Sequence, residues 1–510
     1  MKSTKSLCPE CLTVIEASIL EENGKIVLEK RCPKHGFYKD IYWSNATQFK
    51  RFEKYLHNGE GVKNPYVSTN GNCPHSCGLC PSHKTTTILA NIDVTNRCNQ
   101  SCPVCFANAS SSGYLYEPIM EQIWTMMWRL RNEKPVPCPA IQFAGGEPTM
   151  REDIVRIVRM AADFKFTQIQ MATNGIKLAK SQKLCRELAE AGLHTVYLQF
   201  DGVSPEPYII NRGFNALPLK LKAIENCRAA GLTSVCLVPT LAKGVNDNQV
   251  GDVIRFAANN IDTVKGINFQ PISFAGRINK KEMTEKRITI PDLATLIEEQ
   301  TDGMITVDDI YPVPFIVPIS HFVNANESIP NVEFTVHPHC GAGTYIYVEK
   351  GKMIPITRFI DVEGLIEHVQ ELALNHDEWM GKSISKIKRI GRLVSALPKF
   401  IDLSKAPESV DVKRLFIDVL KDGTGDAVKE FHRHTLFIGA MHFMDLYNID
   451  LERVQRCGVH YATPDGRVIP FCTYNTLHRM EVERKFSMPL IVVKDHEFEL
   501  QGTNLSCEIS

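Results

Sequence analysis

Short apolar runs alternate with amphipathic helical segments between residues 88 and 275. Six runs have the length and composition of buried strands: Ile88–Thr95, Ile141–Gly145, Gln168–Thr173, Thr195–Phe200, Ser234–Leu241 and Gly266–Ile272. Five intervening segments have apolar residues at helical spacing: Met120–Leu130, Asp153–Asp163, Ser181–Ala191, Pro218–Ala230 and Asn248–Asn260. Such alternation is typical of parallel β/α units. We therefore predict a partial (β/α)6 barrel, with its functional residues at the carboxyl ends of the strands.

The regular alternation stops near residue 275. A Pro-punctuated apolar segment, Tyr311–Pro330, precedes strand-like runs at 340–356, predicted helices over 361–452 and a cysteine-bearing strand–turn segment, Cys457–Cys472. The predicted fold class is α/β, with a metal-knuckle domain before the barrel and a mostly helical C-terminal domain that carries auxiliary-cluster elements. The predicted domains are residues 1–65, an iron–sulfur loop at 66–85, the barrel at 86–275, and a substrate-binding C-terminal domain at 276–510.

Composition narrows the function classes. Lys plus Arg and Asp plus Glu both number 58, so no global charge indicates a nucleic-acid partner, and none is predicted. Residues 1–10 lack the apolar stretch of a secretory signal, and no run is apolar enough to span a bilayer, so we predict a cytoplasmic protein. Seventeen cysteines in such a protein are better explained as metal ligands than as disulfides.

The strongest motif is Cys98-Asn-Gln-Ser-Cys102-Pro-Val-Cys105, directly after the first predicted barrel strand. Cysteine thiolates hold [4Fe–4S] clusters, usually four to a cluster. Three cysteines in one tight loop would leave one iron open to a substrate or cofactor. A zinc site or buried thiols would be the alternative.

This loop and the strand ends after it resemble the radical S-adenosylmethionine (SAM) superfamily, over about residues 85–275. Gly145-Gly146-Glu147-Pro148 resembles the GGEP element of that superfamily, which receives the SAM ammonium. The resemblance implies a SAM-cleaving [4Fe–4S] cluster on the three cysteines and SAM itself as cofactor, with the 5′-deoxyadenosyl radical as the reactive species. Gln199 stands where relatives often have Ser. The implied SAM contacts are Gly145, Gly146, Glu147, Asn174, Asp201, Arg212 and Gln270.

A second loop, Cys73-Pro-His-Ser-Cys77-Gly-Leu-Cys80, repeats the spacing without a preceding strand. We predict an auxiliary iron–sulfur loop, with a structural zinc site as the alternative. Further ligands are available at Cys340, Cys457 and Cys472, and the last two belong to a segment that resembles SPASM or twitch elements. Two complete clusters need eight thiolates and these positions supply six. The sequence therefore leaves three possibilities: one cluster, one incomplete site, or help from a histidine such as His337, His339 or His460.

The N-terminus contains two metal knuckles, which pair Cys8 and Cys11 with Cys32 and His35. This spacing predicts a tetrahedral mononuclear site that would suit zinc or iron. The remaining cysteines stand alone and are predicted to be buried apolar residues: Cys138, Cys185, Cys227, Cys236 and Cys507.

Two segments outside the barrel bear on the substrate. The loop Tyr311–Pro318 is unusually apolar, and Lys382–Phe400 has six basic and no acidic residues, with apolar residues at helical spacing. The second pattern predicts a helix that meets anionic headgroups, or alternatively one that packs on the domain core with a solvated basic face.

The entire chain, with its knuckles, doubled loop and C-terminal cysteines, resembles the archaeal tetraether lipid synthase group. That resemblance implies an enzyme that joins terminal sp3 carbons of archaeol-type lipid tails, in a cavity lined by the apolar loop and the C-terminal helices. It also implies a low-potential, ferredoxin-like electron donor and peripheral contact with the cytoplasmic face of the membrane. The alternatives are a tetrahydromethanopterin methylase, a peptide-modifying maturase, and an iron–sulfur electron-transfer protein without a SAM site.

Overall fold

The N-terminal segment is a four-stranded antiparallel sheet in sequential order. The computed structural model describes residues 2–68, 72–327, 330–349, 351–374, 382–407, 434–488, 491–494 and 497–500. The four strands are β1 (Lys2–Leu7), β2 (Val14–Glu22), β3 (Lys25–Cys32) and β4 (Gly36–Trp43). Asn23 and Gly24, both with positive φ, form the tight turn between β2 and β3. Helix α1 (Ala46–Glu53) follows, and the Asn45 side chain caps it by accepting a hydrogen bond from the Gln48 amide.

All six predicted barrel strands are present, with bounds within about three residues of the prediction. They are β5 (Leu89–Thr95), β7 (Ala140–Gly145), β8 (Gln168–Thr173), β9 (Thr195–Gln199), β10 (Val235–Val238) and β12 (Val264–Pro271), and neighbours in this order pair in parallel. Two short strands, β6 (Leu115–Tyr116) and β11 (Thr240–Leu241), lie outside this series. The helices between the strands are α2 (Met120–Arg131), α3 (Ile154–Asp163), α4 (Ile176–Lys180), α5 (Gln182–Glu190), α6 (Glu206–Arg212), α7 (Leu217–Ala229) and α8 (Val250–Asn259).

The C-terminal part extends this sheet at both edges. Strand-like runs were predicted at 340–356 and within Cys457–Cys472, but residues 435–441 form a strand in a region that was predicted to be helical. Its strands are β13 (Tyr311–Pro312), β14 (Gly341–Glu349), β15 (Lys352–Pro355), β16 (Thr435–Met441), β17 (Val459–Ala462) and β18 (Val468–Pro470). Strand β16 pairs in parallel with β12, and β17 pairs in parallel with β5. A run as short as 435–441 cannot be assigned to strand or helix from periodicity alone. As a result, C-terminal residues flank the barrel at both of its edge strands, β5 and β12.

The other described elements surround this sheet. The helices are α9 (Met283–Lys286), α10 (Ile290–Gln300), α11 (Val317–Asn326), α12 (Val362–Leu374), α13 (Lys382–Ala396), α14 (Leu451–Gln455), α15 (Phe471–Thr473) and α16 (Arg479–Lys485). Strand β19 (Ser487–Met488) pairs with β6, and β20 (Ile491–Lys494) forms a hairpin with β21 (Glu497–Leu500). Helices predicted between 408 and 433 lie outside the described residues, as does Cys507.

Helix α13, predicted as the lipid-facing helix, packs on a satellite core formed with α11 and α12. Leu393 and Leu397 are buried in that core, whereas Ile384 and Ile387 are exposed. Arg389 is buried and donates hydrogen bonds to the end of α11. Most of the segment Lys382–Phe400 therefore follows the alternative interpretation, a helix that packs on the domain core. Among the described residues, no helix combines the length and apolarity needed to cross a bilayer.

Candidate functional site

A cavity of about 340 Å³ opens at the carboxyl ends of the barrel strands. Its lining includes five of the seven predicted SAM contacts and all three cysteines of the first loop: Gly145, Gly146, Asn174, Arg212, Gln270, Cys98, Cys102 and Cys105. The other two predicted contacts, Glu147 and Asp201, are almost completely buried and are not among the lining residues. Within the described residues, neither Tyr311–Pro318 nor α12 or α13 lines this cavity, so the predicted lipid-tail lining is wrong.

The loop that carries the three cysteines is fixed by the segment after β12. Cys105 and Arg277 exchange backbone hydrogen bonds of 3.0 and 2.8 Å, and the Arg277 side chain donates to the Cys102 carbonyl at 2.8 Å. Burial raises the pKa of the Cys98 thiol to about 12 and also raises the pKa of Cys102. Thiols in such surroundings become thiolates readily only when a metal provides compensating positive charge. The spacing and setting of this loop therefore fit an iron–sulfur cluster.

The paired glycines at the end of β7 are required by close backbone packing. A Cβ on Gly145 would lie 2.1 Å from the Thr95 carbonyl oxygen, and one on Gly146 would lie 2.2 Å from the Arg97 carbonyl oxygen. Gly145 also has a φ of +125°, which favours glycine. These contacts press the end of β7 against the start of the cysteine loop, so the glycine backbone itself forms part of the cavity wall.

Glu147 connects this turn to the end of β8. Its Oε1 accepts hydrogen bonds from the Thr149 amide and hydroxyl and from the Thr173 hydroxyl, at 3.1, 2.6 and 2.8 Å. Its Oε2 accepts from the Asn174 amide at 2.7 Å, and the Asn174 side chain donates to Asn99 Oδ1 at 2.7 Å. The carboxylate thus orients Asn174 toward the cysteine loop. A direct contact between Glu147 and the SAM ammonium stays a prediction.

A buried ion pair supports the opposite wall. Arg212 binds Asp201 through two hydrogen bonds of 2.7 and 2.8 Å, and it also donates to Thr240 Oγ1 at 2.8 Å. The Asp201 side chain is fully buried, whereas Arg212 reaches the cavity. Its charge lowers the pKa of Cys102, against the stronger effect of burial. Bidentate pairing fixes the guanidinium plane beside the cysteine loop.

Lys220, on α7, is a polar residue of this region that the sequence analysis did not identify. The side chain is buried, and its ammonium donates to the Asn174 carbonyl at 2.5 Å and to Gln199 Oε1 at 2.7 Å. Burial lowers the pKa of Lys220 to about 8. Gln199 therefore lines the cavity and accepts a hydrogen bond from the buried Lys220 ammonium.

The interior wall below the cysteine loop carries a row of amides, also missed from sequence. Asn91, Gln142 and Gln170 stand in register on three neighbouring strands. Gln170 donates to Gln142 at 2.8 Å, and Gln142 donates to Asn91 at 2.7 Å. Across the barrel, Asn268 and Gln270 donate to the Tyr197 hydroxyl. All six residues line the cavity.

An aromatic wall faces the amides. Phe443 and Phe471 stack with ring centroids 3.8 Å apart, Tyr461 lies 5.3 Å from Phe471, and Phe106 lies 5.7 Å from it. All four side chains line the cavity. Three of them come from the C-terminal part of the chain, which places this wall beside the barrel through strand β17 and helix α15. The cavity therefore combines hydrogen-bonding amides with flat apolar rings.

The six predicted auxiliary cysteines fall into two sets. The first set, Cys73, Cys77 and Cys80, lines a separate cavity of about 560 Å³ beside the N-terminal sheet and α14. Burial raises the pKa of Cys73 to about 11 and that of Cys77 to about 12. The Thr473 hydroxyl lies 3.6 Å from Cys77 Sγ. This set resembles the first loop in spacing and in burial.

The second set is Cys340, Cys457 and Cys472, and Arg453 lies beside Cys340 and Cys472. Arg453 Nε donates to Cys340 Sγ at 3.4 Å, and the Met444 amide donates to Cys472 Sγ at 3.3 Å. Burial raises the pKa of Cys457, and the neighbouring Cys472 and Cys340 raise it further. Cys340 therefore meets Cys457 and Cys472, which lie more than a hundred residues later in the chain.

The N-terminal knuckles meet as the spacing predicts. One possible ligand atom from each of Cys8, Cys11, Cys32 and His35 lies within 4.8 Å of the others, a separation suited to one ion. Of the isolated cysteines, Cys138, Cys185 and Cys227 are buried and Cys236 is half-buried.

The chain is similar to known proteins over nearly all of its length. Residues 92–257 match the radical SAM superfamily, and residues 1–44 match the HMPTM N-terminal zinc ribbon domain. The chain is 56% identical to the 7,8-dihydro-6-hydroxymethylpterin dimethyltransferase of Methanocaldococcus jannaschii, over 96% of each chain. It is 26% identical to the GTP 3′,8-cyclase of Clostridium acetobutylicum, over 40% of this chain and 65% of that protein. The solved structure of Streptococcus suis SuiB with its precursor peptide SuiA is 18% identical, with a TM-score of 0.35, and the match covers 44% of this chain and 47% of SuiB.

These relatives correct the predicted activity. The tetraether lipid synthase interpretation is wrong, because the 56% identical relative is a pterin dimethyltransferase. The predicted archaeol-type lipid partner is therefore not supported, and neither is the predicted peripheral contact with the membrane. The electron-transfer alternative is also excluded, since the superfamily match establishes a SAM enzyme with a [4Fe–4S] cluster that requires a reductant. The chain belongs to the radical SAM superfamily and, within it, to the family of this dimethyltransferase.

Proposed function

We propose that this protein is a radical SAM methyltransferase whose substrate is a reduced pterin of the 7,8-dihydro-6-hydroxymethylpterin class. The name of the 56% identical relative supports this proposal. It also agrees with the pterin methylase that the sequence left as an alternative. A ferredoxin-like protein is proposed as the electron donor.

The observation that carries the proposal is the row of amides inside the barrel. Asn91, Gln142 and Gln170 form a hydrogen-bonded ladder on the cavity wall. A pterin presents amino, carbonyl and ring-nitrogen groups along one edge, and side-chain amides can donate to and accept from each of them. An isoprenoid tail has no group that could pair with these amides, and burying them against it would be unfavourable.

The aromatic wall supplies the second part of pterin recognition. Phe443, Phe471 and Tyr461 present flat surfaces to the same cavity. A planar bicyclic ring can stack on such surfaces while its polar edge meets the amides. Ligand sites of this kind are mostly apolar, with a few well-placed polar groups that fix orientation.

The roles of the chain's own residues follow from this arrangement. When bound, the cluster and SAM supply a 5′-deoxyadenosyl radical that abstracts a hydrogen atom from the substrate. Arg212, held by Asp201, and Asn174, held by Glu147, orient the SAM side of the cavity. The amides fix the pterin so that one carbon faces this side, and the aromatic rings exclude water from the radical.

The test is a direct assay of the reconstituted full-length protein without oxygen. Reduced protein, SAM and 7,8-dihydro-6-hydroxymethylpterin should give methylated pterin, together with 5′-deoxyadenosine and methionine from the SAM that is cleaved and S-adenosylhomocysteine from a second SAM that donates the methyl group. The reductant supplies one electron for the cleavage and one for the methyl transfer, and all products are measured by mass spectrometry. Gln170→Leu should lower pterin methylation by about 5- to 150-fold, because a polar edge left unpaired costs about 1–3 kcal/mol. 5′-Deoxyadenosine formation without substrate should persist in this variant.

Gln168→Leu is the matched control, because Gln168 lies on the same strand, two residues away, and does not line the cavity. It should methylate pterin at close to the unsubstituted rate. No methylated pterin from an active preparation that forms 5′-deoxyadenosine would overturn the proposed substrate. An equal loss in both glutamine variants would show that the amide row acts through stability alone.

A further inference from the structure

We propose that Cys340, Cys457, Cys472 and His442 form a four-ligand auxiliary [4Fe–4S] site in which His442 is the fourth ligand. This inference concerns the second cysteine set and does not depend on the identity of the substrate. The six predicted auxiliary cysteines are too few for two clusters with four thiolates each. A histidine ligand would complete this site without a thiolate from the loop of Cys73, Cys77 and Cys80.

Strand pairing places His442 opposite Cys340. Strands β14 and β16 are antiparallel, with Gly341 opposite Met441, so the next residues outward are Cys340 and His442. The His442 amide donates to the Cys340 carbonyl at 2.9 Å, which extends the ladder by one rung. Side chains of directly opposed residues point to the same face and lie about 5 Å apart at Cβ. The His442 ring and the Cys340 thiol therefore share one side of the sheet.

The His442 ring lacks partners of its own. The residue is 1% exposed, and neither ring nitrogen has a hydrogen-bond partner among the described residues. Leaving buried polar atoms unpaired is unfavourable, by about 1–3 kcal/mol for each group. A metal on one nitrogen would remove the larger part of this cost, because neutral imidazole is a common metal ligand.

The histidines suggested by the sequence are less suited to this role. His337 Nδ1 accepts a hydrogen bond from the His339 amide at 3.3 Å, and His339 Nε2 lies 3.2 Å from the Phe49 carbonyl oxygen. His460 Nε2 lies 3.2 Å from His83 Nε2. Each of these rings uses at least one nitrogen within the protein, whereas His442 uses neither.

Arg453 provides independent evidence for negative charge at this place. Its guanidinium is 1% exposed, and no carboxylate in the described part of the chain lies within ion-pair distance of it. Its side chain instead donates to Cys340 Sγ at 3.4 Å and to the His442 carbonyl at 2.8 Å, while Nη1 has no partner there. A buried cation is tolerated when anions balance it. Three cluster-bound thiolates would supply that charge.

The site lies directly behind the wall of the SAM cavity. Met441 and Phe443 line the cavity, whereas His442 between them is not among the lining residues. Phe471 lines the cavity in the same way, and its neighbour Cys472 does not. A cluster held here would be separated from the substrate by a single layer of side chains, close enough to exchange electrons with the cavity.

The ligand assignment can be tested on the full-length protein without measuring activity. Protein labelled with 15N-histidine is reconstituted with iron and sulfide without oxygen and reduced with dithionite. Pulsed electron paramagnetic resonance should then detect 15N coupling of the strength expected for a nitrogen bound directly to iron. Absence of such coupling in the unsubstituted protein would overturn the proposal, whatever any variant does.

Two variants assign the coupling to one residue. His442→Cys should abolish it while retaining the iron content, and should shift one cluster to a lower reduction potential, since replacing histidine by thiolate lowers the potential of iron–sulfur centres. His339→Asn, the control, should keep both the coupling and the potential. Coupling that persists in His442→Cys, or disappears in His339→Asn alone, would refute His442 as the ligand.

Discussion

Replacing Asp201 by Asn tests how much the cavity depends on one buried ion pair. Asp201 and Arg212 form two hydrogen bonds, and their side chains are 0% and 9% exposed. With charge centres about 4 Å apart and an effective dielectric constant of about 20, their attraction is about 4 kcal/mol. Breaking a buried pair by removing one partner costs about 3–5 kcal/mol in general. We therefore expect Asp201→Asn to destabilise this region by about 3–4 kcal/mol.

Hydrogen exchange measured by mass spectrometry is the appropriate assay, because a multidomain chain does not unfold in two states. Protection of peptides that cover β9 and α6 should fall by about 10²–10³-fold, the equivalent of that energy. SAM affinity should fall as well, because Arg212 lines the cavity and would lose its orientation. Peptides from the N-terminal sheet should keep their protection.

The matched control is Asp262→Asn. Asp262 pairs with Arg228 through a similar two-bond geometry, but the side chains are 57% and 39% exposed. Solvent screening limits such pairs to about 0–1 kcal/mol. Equal losses of protection at the two sites would refute the argument from burial, as would a change below about 1 kcal/mol at Asp201.

Three further changes have defined outcomes. Burial lowers the pKa of Lys220 to about 8, so the folded protein binds fewer protons than the unfolded chain between pH 8 and about 10.4. The stability of the folded protein should therefore rise across that pH range. Thermal-unfolding midpoints should show this rise, and Lys220→Met should remove it. Chelation of the ion at Cys8, Cys11, Cys32 and His35 should abolish exchange protection in β1–β4 while barrel peptides keep theirs, since small metal sites fold with their metal. In hydrogen exchange of peptides that cover α13, Leu393→Ala should lower the local stability by about 2–5 kcal/mol and Ile387→Ala by less than about 0.5, because only Leu393 is buried; similar losses would contradict the packing of α13.

The barrel strands could be predicted because each is a short apolar run between helical segments. β5 and β8 begin and end within one residue of their predicted bounds. The N-terminal metal site could be predicted equally well, because its candidate ligands are close together in the sequence. Of the amides in the cavity, Gln142 left the clearest signal, because it is the one polar side chain in the strand Ala140–Gly145. Recognising the row of amides required the strand register, which places Asn91, Gln142 and Gln170 side by side.

The second auxiliary set was harder, because Cys340 is far in the chain from Cys457 and Cys472. Cys340, Cys457 and Cys472 meet only when β14 and β16 join one edge of the sheet and β17 joins the other. The pairing of Cys340 with His442 depends on the register of two strands that are separated by almost a hundred residues. No local spacing in the sequence reports such a contact, so a histidine ligand could be suggested but not identified.

The substrate was mispredicted because the features used to choose it lie away from the cavity. The apolar loop and basic helix suggested lipid, yet Phe315 at the loop is buried beside Tyr55, and α13 packs on α11 and α12. The buried apolar residues of both segments pack against other parts of the protein and not against the cavity. The side chains that line the cavity beside the three cysteines are instead amides and aromatic rings on the barrel strands and in the C-terminal part. Substrate class is therefore better inferred from the side chains that share the cysteine cavity than from the most hydrophobic segment of the sequence.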